Sequence, residues 1–204
     1  MPAYLEHEIT EASFDQIDTE IGHHAFSDAE YAVIRRVIHT TADFDFKQLV
    51  QFGNDPFTAA RQTLRPGVEV VTDVSMVAAG IANVGRKTWQ PNVSVAVQCV
   101  SSSVGETRSA AGMRQCAIAH PQAIFVIGNA PTALLALCEG IQQKKWQPAL
   151  VIGAPVGFIN VVESKQVLAA LSVPYVLIEG RKGGSAIAAA IMNALMIWAW
   201  RQSP

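Results

Sequence analysis

Five short apolar runs recur between Val68 and Gly180, and each is followed by a longer stretch with helical spacing. They read VEVVT, VSVAVQCV, AIFVIG, ALVIG and VPYVLIEG. Their helical partners are expected over residues 75–83, 109–119, 131–143 and 161–171, and from Ser185 onward. A strand that is apolar on both sides has no face for water, so it belongs inside a parallel sheet with helices above and below. Alternating strands and helices joined by right-handed crossovers leave few arrangements. The expected fold class is α/β: a three-layer α/β/α sandwich around a doubly wound parallel sheet.

The first sixty or so residues lack this strand rhythm and read as an N-terminal helical segment. Ser27-Asp28-Ala29-Glu30 has the spacing of a capping box, in which serine and glutamate satisfy each other's orphan backbone donors. The helix it opens carries Val33, Ile34, Val37 and Ile38 as an apolar stripe. Asp55-Pro56 starts another helix, with aspartate as N-cap and proline at the first helical position. No linker, repeat or low-complexity stretch divides the chain, so residues 1–204 read as one domain, flavodoxin-like in its winding.

Charged residues make up 16 % of the chain, against roughly 25 % in an average soluble domain. With half of the residues hydrophobic, some surface is expected to be covered by a second copy, as in a homo-oligomer. A net charge of −2, with no basic block and no run of aromatics, argues against nucleic acid. The run from Ser185 to Trp200 is very apolar, but it is shorter than the ~20 residues a bilayer needs and contains Asn193. It reads as a buried helix, with no role in a membrane. MPAYLEHEIT lacks the basic and then apolar order of a signal peptide. Cys99, Cys116 and Cys138 form no Cys-x-x-Cys and read as reduced thiols, which places the chain in the cytoplasm.

In a doubly wound sheet, ligands sit beyond the carboxyl ends of the strands. Here the segments leaving those ends are SSSVGETRS, GNAPTALL, GAPVGFINVVESK and GRKGGSA. Their glycines admit a ligand close to the backbone, and the helix N-termini that follow offer free N–H groups to an anion. Arg108, Lys165, Arg181 and Lys182 add positive charge, so the edge suits a molecule with several negative groups. Arg36, His39, Thr40 and Asp43 share one side of the helix after Ser27. A histidine near a helix C-terminus is biased towards its protonated form, which suits a general acid. The same spacing fits a histidine that merely caps the last carbonyls. Likewise, Arg108 beside Thr107 fits either a grip on a carboxylate or a surface ion pair. Gly183-Gly184 fits either an anion nest or a tight turn.

Several chemistries find no motif. A G-x-G-x-x-G after the first strand is missing, and no G-x-S-x-G elbow occurs. Residues 80–88 approach a P-loop, but Arg86 interrupts it and the pattern lies in a helix. His23 and His24 are neighbours that point apart, with no partners at ligand spacing, so no metal site is expected.

Taken in order, RVIHTTAD, GETRSAAGM, FVIGNAPTALL, GAPVGF followed by ESK, and GRKGGSAIAAAIMNAL resemble the precorrin-8X methylmutase family of cobalamin (vitamin B12) corrin synthesis. The resemblance implies a flavodoxin-like homodimer that holds its macrocycle at the subunit interface and needs no nucleotide, metal or other cofactor of its own. It implies an isomerase that moves a methyl group from C-11 to C-12 of precorrin-8X or cobalt-precorrin-8, giving hydrogenobyrinate or cobyrinate. The histidine of the family's Arg-x-x-His motif, its proton donor, falls on His39, and the arginine falls on Arg36. The family's Ser-Phe falls on Ser13-Phe14, making Ser13 a substrate contact. Thr107 and Arg108 match its Thr-Arg-Ser segment, and Arg181 and Lys182 join them as expected substrate-binding residues. The helix dipole and Asp43 are expected to keep His39 cationic near neutrality. Asn160-Val161-Val162 stands where the family has small residues before Glu-Ser-Lys, which weakens the case for Lys165 as a ligand group. HTTADFD and GRKGG lean towards the cobalt-handling branch. The alternative from another class is a non-catalytic carrier of tetrapyrroles or other polycarboxylates with the same fold.

Overall fold

Strand side chains alternate between two faces, and in this protein both faces are buried. The computed structural model describes residues 8–100 and 105–203; MPAYLEH, the SSSV that opens SSSVGETRS, and Pro204 lie outside them. Strands β2 (Glu69–Thr72), β3 (Asn92–Val95), β4 (Ile124–Ile127), β5 (Leu150–Gly153) and β6 (Tyr175–Ile178) run parallel. A further strand, β1 (Val50–Gly53), pairs antiparallel with β6, and the order across the sheet is β1-β6-β5-β4-β2-β3.

Val70, Ile124, Val126, Leu150, Ile152, Val176 and Ile178 pack on one face. That face is covered by α1 (Glu8–Ile21), α2 (Asp28–Thr41), the single turn α3 (Phe46–Leu49), α4 (Pro56–Thr63), α5 (Ser75–Lys87) and α10 (Ser185–Arg201). Val71, Phe125, Ile127, Val151 and Leu177 pack on the other. There the cover is α6 (Ala96–Cys99), α7 (Arg108–Ala119), α8 (Pro131–Gln142) and α9 (Val161–Ala169). The three layers expected from the apolar runs are present. The chain turns from β2 outward to β3 and then returns to β4 on the other side of β2, so the winding reverses between β2 and β4.

Two expectations need correction. The helical reading of the first sixty residues misses β1, whose short VQFG run pairs with a strand far along the chain. Gly53 is required there because a Cβ would lie 2.1 Å from the Tyr175 ring opposite it. The run VSVAVQCV is a strand only to Val95 and then coils into α6. Ala96 is fully buried, and α7 lies so close that a Cβ on Gly112 would come 1.9 Å from the Ala96 carbonyl oxygen. The apolar residues after Val95 therefore meet a helix instead of a neighbouring strand.

α10 is buried on nearly every side, between the sheet, α2 and α5, as its composition predicts. Its Asn193 donates Nδ2 to the Gly80 carbonyl of α5 at 3.0 Å, while its Oδ1 is buried without a hydrogen-bond partner. Among the described residues no helix is long and apolar enough to cross a membrane. Cys116 and Cys138 are buried free thiols, and Cys99 is half-buried.

Candidate active site

α2 begins at the expected capping box: the Glu30 N–H donates to Ser27 Oγ at 3.3 Å, and the Ser27 N–H donates to the Glu30 carboxylate at 2.9 Å. Val33, Ile34, Val37 and Ile38 are buried, which turns Arg36 and His39 away from the sheet. α1 lies alongside, tied down by Arg35 and Tyr31, which both bond to Asp18. This contact brings Phe14 of α1 against both motif residues. The His39 ring packs edge-on to Phe14 with centroids 5.3 Å apart, and the Arg36 guanidinium lies 5.5 Å from the same ring centre. Ser13 precedes Phe14 and donates its hydroxyl to the Ile9 carbonyl of its own helix at 2.7 Å.

Arg36 opens into a cleft of about 240 Å³ between α1, α2 and α10, lined by Phe14, Asp28, Arg35, Trp198 and Arg201. Burial, reinforced by Arg201, lowers the Arg36 pKa to about 10. His39 is also held below its ordinary value, first by burial and then by Arg36. That corrects the expectation that Asp43 and the helix end keep it cationic. Asp43 is engaged by Lys182, and the charge that bears on His39 is the positive one of Arg36. Crowded positive charge of this kind is relieved by an incoming carboxylate. Arg201 could not be assigned to the site from the sequence, because nothing local in the last turn of α10 announces it.

The loop after β6 adjoins the end of α2. Lys182 Nζ bonds to Asp43 at 2.6 Å and to Asp45 at 2.9 Å, joining the GRKGG loop to the segment just beyond His39. Lys165 is only 3 % exposed, and its ammonium donates to the Gly180 and Lys182 carbonyls at 2.8 and 2.7 Å. It braces this loop from below, and burial lowers its pKa to about 8. Gly183 has φ +155°, and a Cβ there would lie 2.4 Å from the Ala154 carbonyl oxygen. Arg181 sits 5.8 Å from the ring centre of Phe158, a side chain 81 % exposed in the loop after β5.

Thr107 and Arg108 lie on the opposite side of the sheet, towards β3. Thr107 caps α7 by accepting the Ala110 N–H at 3.2 Å, and its hydroxyl pairs with that of Thr132 at 2.8 Å. Arg108 donates to the Val97 carbonyl at 2.6 Å, so neither ion pair nor carboxylate occupies that bond. β6 and β3 are four strand spacings apart, roughly 19 Å. The expected site residues thus form three groups. Arg36 and His39 gather around Phe14, with Ser13 preceding it on α1 and bonded within that helix, and Arg181 and Lys182 adjoin them through Asp43. Thr107 and Arg108 stand apart, and the cleft lined by Thr107 is separate from the one lined by Arg36.

Asp73, at the end of β2, carries no motif that singles it out, yet it is fully buried. Its carboxylate accepts the N–H groups of Val74, Gly128, Asn129 and Ala130 at 2.7–3.0 Å. Burial raises its pKa above the ordinary carboxyl value, against the opposing effect of these four donors. Backbone N–H groups at this reversal of the winding are where a nucleotide phosphate would bind, and here a side chain already fills them.

Comparisons with known proteins give the family. The family model described as precorrin-8X methylmutase matches residues 8–198. A cobalt-precorrin-8 methylmutase of Synechocystis is 45 % identical over 213 residues, covering 97 % of this chain and 98 % of that protein. A precorrin-8X methylmutase of Pseudomonas aeruginosa is 39 % identical, covering 78 % of this chain and 80 % of its own length. The crystal structure of a precorrin-8x methyl mutase from Thermus thermophilus superposes with a TM-score of 0.87 at 38 % identity, covering 97 % of this chain and all of that one. On the length, order and closeness of these matches, the chain belongs to the precorrin-8X methylmutase family of isomerases.

Proposed function

We propose that this protein acts in cobalamin biosynthesis, moving a methyl group from C-11 to C-12 of precorrin-8X or cobalt-precorrin-8 to give hydrogenobyrinate or cobyrinate. The observation that carries the reading is His39, which stands beside Arg36 and Phe14 at the end of α2 in a chain matched along nearly its whole length. In this reading, His39 is the general acid. It delivers a proton to the ring C imine, the methyl migrates with its bonding pair to the adjacent electron-poor carbon, and the proton returns to the histidine.

The substrate itself completes the acid. In the free protein Arg36 helps to hold His39 below its ordinary pKa. A peripheral carboxylate bound to Arg36 would cancel that repulsion and raise the His39 pKa, so the proton is available when the ring is in place. Ser13, Thr107, Arg108, Arg181 and Lys182 would bind the other acetate and propionate arms, and apolar groups such as Phe158 would exclude water from the ring faces.

The separation of Thr107 and Arg108 from His39 supports a site completed by a second copy, and we place the macrocycle at a homodimer interface. Exposed Phe158 and Ile159, 81 % and 78 % accessible, provide apolar surface for that contact. The order β3-β2-β4-β5-β6 supports a flavodoxin-like winding. The working compartment is taken to be the cytoplasm, and the enzyme is taken to need no resident cofactor.

The test is an absorbance time course of purified protein with metal-free precorrin-8X and, separately, with cobalt-precorrin-8, alongside His39→Ala. The methyl shift changes the conjugated system, so wild type should alter the spectrum and the variant should bind without altering it. The substrate that turns over faster identifies the branch. Binding without a spectral change in wild type would replace the isomerase with a carrier.

A further inference from the structure

We propose that Asp73 is a positioning residue for Thr107 and Arg108, acting on that pair from two directions at the reversal of the winding. The proposal rests on the reading that Thr107 and Arg108 bind substrate carboxylates.

The first direction runs through the carboxylate. Asp73 Oδ1 accepts from Val74 and Gly128, both at 3.0 Å, and Oδ2 accepts from Asn129 at 2.7 Å and Ala130 at 2.8 Å. The donors at residues 128–130 form the turn between β4 and α8 and precede the first helical residue, Pro131. They have no partner within a strand or helix, and Asp73 supplies it. The turn sets the start of α8, where Thr132 meets the Thr107 hydroxyl at 2.8 Å.

The second direction runs through the Asp73 backbone. Its carbonyl accepts the Val97 N–H at 3.3 Å, and the Val97 carbonyl accepts from Arg108 Nη2 at 2.6 Å. Both chains therefore end on adjacent residues at the start of α7. A buried carboxylate is a costly way to stabilise a core, since an apolar side chain would avoid the desolvation. It is an effective way to hold a turn of N–H donors in one conformation. It also closes the usual anion pocket of a doubly wound sheet from within, which leaves anion recognition to Thr107 and Arg108, farther out along the edge.

The experiment is a double-mutant cycle on binding of the corrin product hydrogenobyrinate, followed by its absorbance, with Asp73→Asn, Thr107→Val and the double variant. Circular dichroism verifies the fold of each. Thr107→Val is expected to weaken binding roughly tenfold, as for loss of a hydrogen bond to a charged group. Asp73→Asn is expected to weaken it by a comparable factor, and the double variant to bind no worse than Thr107→Val alone, because the Asp73 carboxylate reaches the site through Thr132 and Thr107. The pH position of the His39 step in kcat should be unchanged in Asp73→Asn, because His39 lies on the other face of the sheet.

Losses that multiply in the double variant would overturn the proposal, since Asp73 would then act on the fold as a whole. A Thr107→Val variant that binds like wild type would overturn the underlying reading, and the proposal with it. If Asp73→Asn does not fold, Thr132→Val decides the matter: it cuts the link to Thr107 and leaves the carboxylate in place. Weaker binding in Thr132→Val supports the proposal, and unchanged binding overturns it.

Discussion

Lys182 closes on Asp43 with Nζ and Oδ2 2.6 Å apart, joining the loop after β6 to the end of the helix that carries His39. The two residues are 139 positions apart in sequence. Each shifts the other: Asp43 is held below its ordinary carboxylate pKa mainly by the Lys182 hydrogen bond, and Lys182 is held above its own by Asp43 and then Asp45. A depressed carboxylate stabilises the fold above its unfolded pKa and loses that effect as pH falls through the folded value. A raised lysine stabilises below its unfolded pKa and loses the effect as pH rises through the folded one. The link is therefore constant across neutral pH. Lys182→Met should lower the thermal midpoint by the same small amount from about pH 5 to about pH 9, and the deficit should shrink in high salt. A deficit that persists once pH drops below the depressed folded value of Asp43 would instead assign Lys182 a packing role against Phe46, whose ring centre lies 5.6 Å from its ammonium.

Gly183→Ala tests the loop itself. The residue combines φ +155° with backbone oxygens of Ala154 and Pro155 at 2.4 and 2.5 Å from where a Cβ would stand. Neither strain is relieved by moving a flexible side chain. The expected cost is at least about 1–3 kcal/mol, measured by denaturant unfolding, with a raised KM because Arg181 and Lys182 move with the loop. Unchanged stability would mean that the loop is not seated on residues 154–155.

Lys165→Met separates a brace from a ligand group. Its amine bonds to two loop carbonyls and is buried, so removing it should cost about 1–3 kcal/mol through the carbonyls left without a donor. The pH dependence has a definite sign. Burial lowers the folded pKa to about 8, against an unfolded value near 10.5, so between these values the unfolded chain binds more protons. Stability from this residue therefore rises with pH over that window, and the advantage of wild type over Lys165→Met should grow across it. A flat difference would show that the amine remains solvated.

The parts of this molecule legible in the sequence are those whose cause is local. The Ser27–Glu30 capping box, the Asp55 cap and the continuous apolar runs of β4 and β5 each carry their explanation within a few residues. β1 does not, because Val50–Gly53 is a strand only by virtue of Tyr175–Ile178. The coil at Ala96 depends on Gly112 pressing against its carbonyl, which no pattern within VSVAVQCV records. The Arg-x-x-His spacing marked Arg36 and His39, but the Arg201 charge that bears on Arg36 comes from the last turn of α10. Asp73 reads as an ordinary turn residue until β4 and α8 bring their N–H groups to it.

The pairing of Arg36 with His39 gives the sharpest kinetic expectation. An acid works in its protonated form, so rate falls as pH rises through its pKa. The profile of kcat/KM reports the free enzyme, where burial and Arg36 hold His39 below 6.5. The profile of kcat reports the complex, where a substrate carboxylate on Arg36 removes that repulsion. The falling limb of kcat should therefore lie at higher pH than that of kcat/KM, and both should vanish in His39→Ala. Arg36→Gln should raise KM and move the kcat/KM limb towards 6.5, because the repulsion is gone before substrate arrives. NMR titration of the His39 ring, with and without hydrogenobyrinate, checks the same shift directly. Coincident limbs, together with an imidazole that titrates alike in the free and bound states, would assign the charging of His39 to the protein alone.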